Sequence, residues 1–184
     1  PWMYLILIPA MTMRAFAEEK SNGTIELLLT RPLTEFQIIL GKFFAYFILL
    51  ILTLIPTLIY YFSVYYLSNG DVDNGATFGS YIGLILLGAS FISIGLFASI
   101  ITKNQIISLL VSLLLCLLFY FGFSMIADAM GDKSINYLIQ QFGIEEHYYS
   151  ISRGLFDTRD LVYYFCLIAI FTLLTKVALV SRKW

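Results

Sequence analysis

His147, directly preceded by Glu145 and Glu146, is where side chains able to bind a metal or move a proton come closest together. A zinc site needs three or four converging ligands. Neighbours in sequence point in different directions around a helix, and His147 is the only histidine in the chain. The cluster therefore reads as the polar face of the segment that carries it. Ser108, Ser112 and Ser124 are candidate nucleophiles for an intramembrane hydrolase, which would also need a base within hydrogen-bond reach. No apolar stretch carries His, Asp or Glu in its central turns, which argues equally against a proton-coupled secondary transporter. Gly41-Lys42 is the only Gly-Lys pair, but Phe36 and Phe43 stand where a phosphate-binding GxxxxGK[ST] loop needs Gly and Ser or Thr. Cys116 and Cys166 lie inside apolar runs and read as packing residues rather than a disulfide framework. No catalytic residue, directly bound cofactor or metal is expected.

Composition explains why reactive groups are so sparse. Of 184 residues, 60% are hydrophobic and 12% charged, and the mean hydropathy is +0.86. A soluble domain carries about 25% charged residues because it must cover a wetted surface; lipid removes that requirement. A helix needs about 20 apolar residues to cross roughly 30 Å of hydrocarbon. Residues 38–67, 78–102, 105–127 and 161–180 meet or approach this length, and residues 1–16 form a fifth, shorter stretch. The runs do not alternate as barrel strands do. The expected fold is all-α, a polytopic helical membrane protein with five spans. Pro56 should kink the second span. Gly79 and Gly83 form a GxxxG pair for close helix packing in the third. Tyr60, Tyr61, Tyr65 and Tyr66 suit the membrane interface.

Charge distribution orients the spans. With the C-terminus cytoplasmic, Arg14, Lys20, Arg31, Lys42, Lys103, Lys176, Arg182 and Lys183 face the cytoplasm. Lys133, Arg153 and Arg159 remain outside, beside most of the acids. That is the positive-inside pattern. It places Pro1 on the outer side, from which a further upstream helix, six spans in all, is expected.

Two polar segments stand out. Residues 128–160 read as an outer amphipathic segment, with Ile135, Leu138, Ile139 and Phe142 at helical spacing. Residues 14–35 lie on the cytoplasmic side. There Glu18, Glu19 and Lys20 carry a helix out of the membrane and Gly23 permits a tight turn. Thr24 is a candidate cap for the stretch holding Ile25, Leu27, Leu28 and Leu29, and Thr34 for the next helix. Such apolar density in water calls for a membrane or a protein partner.

The run 16–32, FAEEKSNGTIELLLTRP, followed by Gly41-Lys42, resembles the signature of ABC-2 type ABC transporter permeases. It is most similar to the gliding-motility-associated and copper-nitrous-oxide-maturation types. The run 152–161, SRGLFDTRDL, resembles the segment before their last helix. The resemblance covers essentially the whole chain as a single transmembrane domain, 1–184. It implies six helices per subunit, a homo- or heterodimer of permeases in a bacterial inner membrane, and cytoplasmic ATP-binding subunits that supply the ATP hydrolysis. No nucleic-acid partner is expected. The coupling segment that meets the ATPase maps onto residues 14–31. Gly23, Glu26, Pro32 and the Glu19 position match the pattern. Glu18, Glu19 and Lys20 are the expected polar contacts, with Leu27 and Leu28 packing beneath them and Arg31 closing the segment. A non-transporting membrane anchor is the alternative; it would tolerate loss of the surface at 18–29.

Overall fold

Four stretches fold into helices long and apolar enough to cross a bilayer: Glu35–Leu67, Asn74–Ile101, Gln105–Ala127 and Thr158–Val180. They match the second to fifth stretches read from hydropathy. The computed structural model describes residues 1–24, 34–68, 73–130, 139–155 and 157–181, except the side chains of Asp128 and Met130. Among these residues there is no strand. In chain order the helices are α1 (Trp2–Thr12), α2 (Ala17–Ser21), α3 (Glu35–Leu54), α4 (Leu58–Leu67), α5 (Asn74–Ile101), α6 (Gln105–Leu117), α7 (Phe123–Met130), α8 (Ile144–Ser152) and α9 (Thr158–Val180). At 1.5 Å per residue, α1 is about 16 Å long, shorter than a crossing.

Each crossing helix starts at a side chain that accepts from its first turn. Thr34 and Gln37 form a reciprocal capping box at α3, as the sequence led us to expect of Thr34. Asp73, Asn104 and Asp157 accept backbone amides at the starts of α5, α6 and α9. Between α3 and α4 the ladder tightens to a 3-10 turn over Ile55–Thr57, which contains Pro56. In the fourth crossing, α6 passes into α7 through a π-helical turn at Leu118–Gly122.

The organising element is α5. Some 72% of its apolar window is buried, against 22–28% for the other crossings, and α1, α3, α6, α8 and α9 all pack on it. Its sequence explains this. Where lipid tails are as apolar as leucine, helices associate by close packing, and small residues permit the closest approach. A Cβ added at Gly88 would lie 2.0 Å from Leu50 Cδ1 on α3, and one at Gly95 would lie 2.1 Å from Thr12 Oγ1 on α1. One at Gly79 would lie 2.4 Å from the Ile151 carbonyl oxygen on α8. Gly79 and Gly83 thus receive α8 of the same chain. Ile144 and Ile151 are the fully buried residues of α8, while Ile135 and Leu138 lie outside the described residues. The faces turned away from α5 carry Ile48, Leu52, Ile59, Leu110, Phe165 and Leu173 exposed, as lipid-facing surfaces do.

Candidate functional site

The end of the bundle that gathers Lys20, Lys42 and Lys103 carries the segment singled out by sequence. After α1 ends at Thr12 the chain turns through Met13–Phe16 into α2. At five residues α2 is far below the length at which a helix holds itself in water. Its N-cap is Phe16, whose side chain accepts nothing. The acceptor comes from α5: Ser99 Oγ takes the amides of Phe16 and Ala17 at 2.9 and 3.0 Å. Ser99 in turn donates to the Met13 carbonyl at 3.2 Å. A hydroxyl has one proton and two lone pairs, and all three are used. Phe16, Ala17 and Ser99 are fully buried.

A second tether comes from α3. Lys42 Nζ donates to the Ala15 carbonyl at 2.6 Å and to Glu19 Oε1 at 2.5 Å, and lies 4.8 Å from the centre of the Phe16 ring. Both side chains of the ion pair are largely buried, 21% and 24% exposed. Lys20 reaches the Thr102 carbonyl at the long distance of 3.5 Å. The segment then leaves α2 through Asn22 and Gly23, whose φ of 69° suits a residue without a Cβ. Thr24 donates its hydroxyl back to the Glu19 carbonyl. Ser21, Asn22, Gly23 and Thr24 are exposed, and Ser21 shares a surface recess with Lys103 and Asn104.

A short amphiphilic helix is thus fixed to the core on one side and open to solvent on the other. A family model described as ABC-2 family transporter protein matches residues 4–180. The chain belongs to the ABC-2 transporter family. It is a multi-pass membrane protein and the permease component of an ABC transporter, which implies an ATP-binding partner. No curated protein matches the chain.

Of the residues expected to dock a partner on this ABC-2 chain, Glu18, Glu19, Lys20 and Gly23 lie together on or beside α2. Glu26, Leu27, Leu28 and Arg31 lie outside the described residues. Glu19 is turned inward to Lys42, whereas Glu18 is half-buried and has no ion pair among the described residues. Two contributors escaped sequence reading. The sequence places Lys42 on the cytoplasmic side and in the family signature and excludes it from a nucleotide loop, but does not pair it with α2; Ser99 is one small residue among many in α5. A basic residue eight positions into a crossing helix was a usable signal for Lys42; nothing local marked Ser99.

The opposite end holds the histidine. His147 Nδ1 lies 2.7 Å from Asp160 Oδ1, and Nε2 lies 2.9 Å from the Gln141 carbonyl. Both ring nitrogens are thus within hydrogen-bond distance of a partner. The ring stacks on Tyr163 at 4.0 Å, and Tyr163 donates to the Phe142 carbonyl at 2.6 Å. A cavity of about 480 Å³ beside it is lined by Gln141, Glu146, Ser150, Arg159 and Asp160. No group of three metal-ligating side chains exists among the described residues. Ser124, the hydrolase candidate nearest this end, bonds the Phe121 carbonyl and Glu145. The arrangement fastens α8 to α9. Tyr148 of α8 packs on Gly83, and burial pushes its phenol above the ordinary value of 10.0.

Proposed function

We propose that this permease is driven through α2 and the residues that follow it, by a separate cytoplasmic ATP-binding subunit docking on the segment 14–31. One observation carries the reading: α2 is held on its buried side by Ser99 and Lys42, while Ser21 to Thr24 face solvent and half-buried Glu18 has no ion pair among the described residues. A helix meant to receive force must be stiff toward the core and accessible on its other side. The basic residues at this end support a cytoplasmic location for it, and with it a cytoplasmic C-terminus. On this reading ATP acts only in the partner, and the permease works as a homo- or heterodimer in a bacterial inner membrane. The motif at 16–32 supports membership of a gliding-type system.

The mechanism follows from differential binding. The nucleotide-closed partner must prefer one position of α2 over another, since only a difference in affinity between two states shifts their balance. The test is ATP turnover of the full-length permease co-purified with its ATP-binding subunit. Glu18→Arg should weaken co-purification or change turnover several-fold. Unchanged capture and turnover would favour the anchor reading.

A further inference from the structure

We propose that Ser99 is the positioning residue through which movement of α2 reaches α5, an inference that rests on the coupling role assigned to α2 above. Two tethers run from α2 into the membrane core, and they differ in stiffness. Lys42 acts from the end of a four-carbon side chain that remains partly exposed, and such a side chain retains rotamers and exchanges with water. Ser99 acts through a single side-chain carbon, fully buried, with each of its hydrogen-bonding valences taken by the turn Met13–Ala17. Its two acceptor bonds hold the amides of Phe16 and Ala17, the N-cap and first residues of α2, which have no acceptor within that helix. The start of α2 is therefore held by another helix, 83 and 82 residues away in sequence.

Separating α2 from α5 would strand the buried amides of Phe16 and Ala17, so the two elements are constrained to move together. α5 is the helix on which α1, α3, α6, α8 and α9 pack. At its far end Gly79 meets the Ile151 carbonyl of α8 with no space for a Cβ. A displacement entering at Ser99 therefore acts on α5 directly and reaches the opposite end of the bundle through one continuous helix, whereas one entering at Lys42 acts on α3 and reaches α5 only through helix packing.

The experiment is hydrogen–deuterium exchange of the full-length permease with its ATP-binding subunit, with and without ATP and vanadate. Wild type, Ser99→Ala and Ser99→Cys are compared; the thiol keeps the size of the site but accepts hydrogen bonds weakly. Wild type should show nucleotide-dependent exchange changes in residues 13–20 and also in 79–95 and 144–152. In the variants the amides of Phe16 and Ala17 should exchange at least tenfold faster. The partner should still bind, and the nucleotide response should be confined to residues 13–20. Variants that pass the full response to 79–95 and 144–152 would overturn the proposal. So would failure of both to assemble, which would make Ser99 a folding residue only. If the wild type captures no ATP-binding subunit, the coupling reading itself fails, before Ser99 is in question.

Discussion

Lys42 on α3 and Glu19 on α2 meet at 2.5 Å, and the same ammonium donates to the Ala15 carbonyl. The two bonds are unequal in kind: one needs a negative partner, the other needs only a donor. Glu19→Gln should therefore be the milder change, because the amide oxygen still accepts from Lys42. Lys42→Met should cost more, leaving both Glu19 and the Ala15 carbonyl without their donor, about 1.5–3 kcal/mol for a hydrogen bond to a charged group. The swap Glu19→Lys with Lys42→Glu should recover only part of the loss, since a carboxylate cannot donate to Ala15. Thermal unfolding of the four proteins in one detergent reads this order. Equal losses for Glu19→Gln and Lys42→Met would remove the second bond from the account.

Gly79 and Gly83 look alike in sequence and differ in space. A methyl at Gly79 runs into backbone, 2.4 Å from the Ile151 carbonyl and 2.9 Å from Gly154; at Gly83 it makes ordinary contacts of 3.4 Å with Ile151 and Tyr148 side chains. Gly79→Ala should destabilise by about 1–3 kcal/mol, while Gly83→Ala should be near neutral. Were the pair a surface for a second chain, both changes would instead shift the monomer–dimer distribution on size-exclusion chromatography at unchanged stability.

The contrast shows what a single sequence carries in this chain. Lipid demands long apolar helices with capped starts, so the stretches 38–67, 78–102, 105–127 and 161–180 and the Thr34 cap were readable from composition and local pattern. Docking of α8 on Gly79 was not, because periodicity says which residues are small and not what lies against them. The turn at Gly23 was foreseen, but Glu18, Glu19 and Lys20, expected to run out into water, are half-buried on a separate short helix whose inward anchors were not foreseen. Ser99 sits more than eighty residues from the amides it holds, and Lys42 gave no sign of pairing with Glu19. The π-helical turn at Leu118–Gly122 carries no signature in its residues that we can name.

Burial of the Tyr148 phenol raises its ionisation above the usual 10.0, and that shift has a sign for stability. The neutral phenol is favoured in the folded state. Its contribution is complete below pH of about 10 and is lost as pH rises through the higher folded value. The melting temperature of the wild type should fall more steeply above pH of about 10 than that of Tyr148→Phe, which keeps the ring on Gly83 without the ionisable group. Parallel curves for the two proteins would mean that ionisation of Tyr148 is not opposed by its packing.

The central claim is that α2 presents its open side to an ATP-binding subunit. The most direct measurement is photo-crosslinking of the full-length permease, with the reactive group placed at Asn22 beside α2 or at Tyr149 on α8. Both positions are exposed, at opposite ends of the bundle. The account predicts that Asn22 crosslinks to the ATP-binding subunit, with a yield that changes between nucleotide-free and ATP-vanadate states, and that Tyr149 does not. A crosslink from Tyr149, or none from Asn22 while the partner co-purifies, would contradict it.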